Sequence, residues 1–107
     1  MLDFRRRLQA GLIRSPKYPA YLKWVRSLEC CACGAPADDA HHRYGYGWIK
    51  GAGTKVADIH ALPLCRTHHD ELHASPLEWE ERHGSQWFWI ALTIQRAVAE
   101  GVIEIAV

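Results

Sequence analysis

At 107 residues the chain is sized for one domain with a modest hydrophobic core. Its 49% hydrophobic and 23% charged residues are ordinary for a globular protein, and no apolar run reaches membrane-spanning length. The Arg-rich start lacks a continuous apolar core, so neither a secretory signal nor a membrane partner is expected, and a cytoplasmic location is. The net charge of +1 points to no partner by itself. Its distribution does: Arg5, Arg6, Arg7, Arg14, Lys17, Lys23 and Arg26 face a single acid, Asp3, before residue 29, a balance suited to a polyanion.

In chain order, Leu2, Phe4, Leu8, Leu12 and Ile13 recur at a loose helical period, which predicts a helix over 2–13. Ser15-Pro16 reads as a stop and restart, and Tyr21, Leu22, Trp24, Val25 and Leu28 continue a second helix to about residue 28, with Pro19 in its first turn. Residues 29–36 form a knuckle in which Cys30-x2-Cys33 is followed by Gly34, a residue that lets the backbone turn tightly. Two short strands are expected at about 38–43 and 57–62. Between them lies a glycine-rich loop whose aromatics and bases, Arg43, Lys50 and Lys55, suit contact with phosphate, sugar or base. A helix from about Arg66 ends by Ala74, Ser75-Pro76 opens another that stops at Gly84, and Ser85 caps a last one. Its apolar stripe is expected at Trp87, Ile90, Ala91, Ile94, Ala97 and Val98, with Gly101 as its stop and 102–107 as a short strand or ordered tail.

The histidines and cysteines carry the chemistry. Four cysteines beside seven histidines, in a chain expected to be intracellular, point to metal rather than disulfides. Cys30 and Cys33 supply one pair of ligands and Cys65 and His68 another, and four such residues make a closed structural zinc site. Cys31 is the spare, and a redox role for Cys-x2-Cys lacks the surrounding βαβ pattern. His69 and His73 are four apart, on one face of a helix, and can share a second ion. His41 and His42 are adjacent on a predicted strand and point to opposite sides, so one can be a ligand and its neighbour a base.

Together these residues resemble the HNH, or ββα-metal, endonuclease superfamily from about Cys30 to His73. The His41-His42 pair with His69-x3-His73 is similar to the His-His…His-x3-His arrangement of colicin-type DNases. Cys-x2-Cys-Gly, Ala-His-His, Gly-x-Gly-Thr-Lys-x2-Asp (51–58) and Leu-Pro-Leu-Cys-x2-His-His-x-Glu-Leu-His resemble a prophage-encoded family related to phage recombination-enhancement nucleases. The resemblance implies an α+β fold: a hairpin and a metal-bearing helix around a catalytic ion, a zinc knuckle, and flanking helices. On that pattern 1–28 is a basic helical extension, 29–74 the knuckle and ββα core, and 75–107 the C-terminal helices of a single domain. It further implies that His41, His69 and His73 hold a catalytic Mg²⁺, Mn²⁺, Ni²⁺ or Zn²⁺, that His42 is the general base, and that Arg43, Lys50 and Lys55 are substrate-binding candidates. His60 stands where the superfamily commonly has a hairpin-pinning asparagine and is a secondary candidate.

The expected activity is metal-dependent hydrolysis of DNA phosphodiester bonds, single- or double-stranded, in a bacterial host. Recombination proteins or a second copy of the chain are candidate partners. The alternative is a non-catalytic zinc-stabilised module that binds DNA or a protein.

Overall fold

A computed structural model describes residues 3–10, 17–42 and 57–106 of the chain. Among these, the elements run α1 (Phe4–Gln9), α2 (Pro19–Arg26), β1 (Asp39–His42), β2 (Ala61–Leu64), α3 (Arg66–Ala74), α4 (Pro76–His83) and α5 (Gln86–Ala99). The fold is α+β, with a two-stranded antiparallel sheet followed directly by a helix. No helix among the described residues is long and apolar enough to cross a membrane.

The α2 helix begins at Pro19, not at Pro16: Lys17 and Tyr18 are non-helical, and Pro19 takes the first helical position, where its missing N–H costs nothing. It buries Tyr21 and Val25, one helical turn apart. Strand β2 lies later than the expected 57–62, because Ala57 to His60 turn instead, the His60 N–H donating to the Ala57 carbonyl at 3.0 Å. The 102–106 segment forms no strand.

The hairpin register pairs Asp39 with Leu64, Ala40 with Pro63, His41 with Leu62 and His42 with Ala61. Directly opposed residues of an antiparallel pair share a face, and successive residues alternate. Asp39, His41, Leu62 and Leu64 therefore share one face, and Ala40, His42, Ala61 and Pro63 the other. The first face meets the main core, where Leu62 and Leu64 pack with Cys30, Leu72, Trp79 and Ile90. The second meets a smaller cluster of Tyr21, Val25 and Ala97, flanked by Ala40 and Ile59. All four β2 residues are buried. Pro63 has no N–H to donate, yet its carbonyl accepts from Cys31 N–H at 3.0 Å, which docks the knuckle against the strand.

The buried line of α5 is Gln86, Ile90, Thr93 and Ala97. This differs from the expected stripe: Trp87, Ala91 and Val98 face outward, while Ile94 packs partly against the core. The spacing 86-90-93-97 is a proper i, i+4, i+7 face, and two polar residues occupy it, so an apolar count read the face about one residue off. The Ser85 hydroxyl caps the helix by accepting from Trp87 N–H at 3.2 Å, and Gly101 closes it at φ 76.

Leu62 is fully buried whereas Leu77 is 80% exposed. Leu62→Ala is expected to destabilise the zinc-loaded protein by about 2–5 kcal/mol, and Leu77→Ala by no more than about 0.5 kcal/mol. Urea unfolding midpoints of the two variants check the contrast.

Candidate metal centre

The knuckle is shaped by its own backbone. Cys30 N–H donates to the Ala35 carbonyl at 2.6 Å and Gly34 N–H to the Cys30 carbonyl at 2.8 Å. Gly34 sits at φ 80, which a side chain would strain. The knuckle presents Cys30 and Cys33 toward the start of α3, where Cys65 is the extended N-cap residue and His68 lies in the first turn. Ligand atoms of Cys30, Cys33, Cys65 and His68 all lie within 4.8 Å of one another.

The distances suit zinc. A tetrahedral ion with Zn–S bonds of about 2.3 Å holds its sulfurs about 3.8 Å apart; Cys33 Sγ and Cys65 Sγ are 3.8 Å apart. His68 Nδ1 is 3.2 Å from Cys65 Sγ and 3.9 Å from Cys30 Sγ, bracketing the value for a mixed pair. The set could hold a metal such as zinc with no coordination position left for substrate. Cys31 stands outside it: burial, reinforced by the neighbouring Cys30, pushes its thiol up to about 12, so it stays protonated.

The second group uses the other side of α3. The Nε2 of His69 lies 3.1 Å from His41 Nδ1 and 3.0 Å from His73 Nε2. Ligand atoms of these three histidines also fall within 4.8 Å of one another, and the spacing is close to the roughly 3.3 Å expected between nitrogens on one tetrahedral ion. Outer partners aim the rings. His41 Nε2 donates to Gln86 Oε1 at 3.2 Å, which turns Nδ1 inward, and His69 Nδ1 donates to Asp39 Oδ2 at 2.8 Å, which turns Nε2 inward. Arg66 holds the other Asp39 oxygen at 3.0 Å. Burial, then the neighbouring His69, lowers the His41 pKa to about 4, so its ring is neutral near pH 7 as a ligand must be. His41 is buried and His73 exposed, so the group opens toward solvent. An open pocket of about 220 Å³ lies beside it, lined by His41, His73, Leu72, Pro76, Glu80 and Gln86 with Leu77.

His42, on the opposite hairpin face, is half-buried, and its Nε2 donates to Asp58 Oδ1 at 3.2 Å. His60 is half-buried with its ring edge-on to Trp87, centroids 5.8 Å apart, and its pKa is lowered by burial and by His42. Arg43, Lys50 and Lys55 lie outside the described residues. A third group, His68, Glu71 and His83, also comes within 4.8 Å, but it shares His68 with the cysteine set. Glu71 Oε2 is 3.8 Å from His68 Nε2, the position of an outer carboxylate for a ligating histidine.

Three residues of this centre were given no such role by sequence reasoning. Asp39 precedes His41 by two on a strand and so shares its face, a signal that was available. Asp58 appeared only as part of a loop motif. Gln86 stands 45 positions from its partner, with no local signal.

A small α+β chain that brings together, among its described residues, a Cys3His group and a three-histidine group is thus the class that fold and site define. The family model DUF968, described as a protein of unknown function, matches residues 12–101, and the chain belongs to that family. It is also 48% identical over 83 residues to the Uncharacterized protein YdfU of Escherichia coli (strain K12). That match covers 78% of this chain and 24% of YdfU, so the chain spans only a fraction of that relative's length. No solved structure matches significantly.

With the cysteine set as a zinc site, Cys30→Ser is expected to lose bound zinc and the folded state with it, while Cys31→Ala keeps the wild-type zinc content; elemental analysis after gel filtration distinguishes them. Asp39→Asn, which weakens the orientation of His69, is expected to lower divalent-ion affinity at the histidine group by roughly 10- to 100-fold, read by calorimetric titration of the zinc-loaded protein with Ni²⁺.

Proposed function

We propose that the chain is a divalent-metal-dependent endonuclease of the HNH type that hydrolyses DNA phosphodiester bonds. The observation that carries this reading is the convergence of His41, His69 and His73 on one point, beside a histidine, His42, that is paired with a buried carboxylate. A purely structural metal site has four protein ligands and is closed; among the described residues this group offers three histidines and opens at His73.

An ion held by His41, His69 and His73 would keep its full charge and supply electrostatic stabilisation to the phosphoryl oxygens and the leaving oxygen. The residues of the chain do the rest. His42 takes the proton of a water molecule; the resulting hydroxide forms a bond to phosphorus in line as the bond to the 3′-oxygen breaks. Solvent protonates the departing 3′-oxygen, and His42 returns its proton to solvent. Arg43, Lys50 and Lys55 are the proposed clamps on the DNA backbone. The cysteine set holds the start of α3, and so fixes where His69 and His73 stand.

The resemblance to prophage-encoded HNH proteins supports a role in phage or prophage DNA processing or recombination inside a bacterial host, with DNA, recombination proteins or a second copy of the chain as partners. A zinc-stabilised binding module without catalysis is the rival reading. A supercoiled-plasmid nicking assay across Mg²⁺, Mn²⁺, Ni²⁺ and Zn²⁺ separates the two. The wild-type chain is expected to nick with at least one of them, and His42→Ala to lose roughly 100-fold or more of that rate with zinc content unchanged. Undiminished nicking by His42→Ala would sink the base assignment, and no nicking by the wild type with any ion would leave only the binding module.

A further inference from the structure

Asp58 is a buried residue, 5% exposed, in the turn that leads into β2. Burying a carboxylate is costly unless its oxygens are occupied by donors or cations. Here both oxygens are engaged, by residues distant in sequence. Oδ2 accepts from the backbone N–H of Tyr18, 40 positions away, at 2.6 Å. Oδ1 accepts from His42 Nε2 at 3.2 Å and has Lys17 Nζ 4.0 Å away. The Tyr18 N–H is just outside α2, so the backbone entering that helix braces the carboxylate at the oxygen that His42 does not use.

An ionised carboxylate can only accept hydrogen bonds. A neutral imidazole carries one hydrogen and one lone pair, and the partner of one nitrogen decides which nitrogen has which. We propose that Asp58 is a positioning residue: its braced carboxylate takes the Nε2 hydrogen of His42 and so fixes the tautomer and orientation of the ring. The tautomer follows from the contact alone; its use in catalysis rests on the nuclease reading above.

The arrangement also makes the segment before the knuckle part of the site. Lys17 and Tyr18 lie outside the hairpin and α3, yet they supply a cation and a donor to the carboxylate that orients the base. Asp58 thereby ties residue 18, residue 42 and the start of the turn into β2 to one point. A plain loop clasp through the same contact would fix the tautomer too, but it would leave kcat of the folded protein unchanged.

The deciding experiment is long-range ¹H–¹⁵N correlation NMR of the zinc-loaded full chain, with ¹⁵N-histidine, at a pH where the His42 ring is neutral. The Nε2–H tautomer is expected, and an Nδ1–H ring overturns the proposal whether or not the protein nicks DNA. In the plasmid assay, Asp58→Asn is expected to lower kcat roughly 10- to 100-fold, part of the 10²–10⁴-fold typical of general-base catalysis, with KM within about twofold of wild type. Asp58→Glu is expected to recover part of the loss. An unchanged kcat in a folded, zinc-loaded Asp58→Asn also overturns it. Should Asp58→Asn fail to fold, the wild-type tautomer decides. A chain with the Nε2–H ring that nicks nothing upholds the contact and refutes only the nuclease reading.

Discussion

Two candidate metal groups depend on the same nine-residue stretch, the start and body of α3. An α-helix advances about 100° per residue, so neighbours point well apart while residues three or four apart nearly align. Cys65 and His68 therefore face the knuckle, and His69 and His73 face β1. The adjacent pair His68-His69 lies between the two sets. Any tilt or slide of α3 would move ligands of both groups together. The cysteine group, which could be closed by zinc, is the natural anchor, because apparent structural-zinc free energies of roughly 10–16 kcal/mol rival the whole stability of a small domain. The histidine group, opening toward solvent at His73, then stands on a helix whose position is set by the first.

The hairpin applies the same economy with a period of two. Its inner face carries Asp39 and His41 toward α3 and α5, and its outer face carries His42 toward Asp58 and the entry to α2. Adjacent histidines thus meet different chemistry: one is buried among imidazoles and stays neutral, and the other rests on a carboxylate. A one-residue slip in register would exchange these environments. The four buried residues of β2 and the Cys31–Pro63 hydrogen bond hold the register against that slip.

Much of this was legible in the sequence where the signal was local. The i, i+3 and i, i+4 spacings of Cys65, His68, His69 and His73, the Ser-Pro and Ser starts of α4 and α5, and the Gly84 and Gly101 stops all rest on short-range geometry, and the corresponding elements stand where expected. Long-range consequences were not legible. Strand β2 starts later than the expected residue 57 because the carboxylate of Asp58 is held in a turn by Tyr18 and His42. The α5 face differs from the expected stripe because Gln86 is buried for a reason outside the helix, its contact with His41, while Thr93 is buried with its hydroxyl satisfied inside the helix, on the Trp89 carbonyl at 2.7 Å. Polar residues buried by a distant partner leave no hydropathy signal.

The central claim is that one helix presents two separate metal sites of different character. Native mass spectrometry of the full chain, titrated with zinc and then treated with a weak chelator, tests it directly. The account predicts two ions per chain at saturation, of which one resists the chelator and one exchanges, with His69→Ala removing only the exchangeable ion. A single ion per chain, unaffected by His69→Ala, would contradict it.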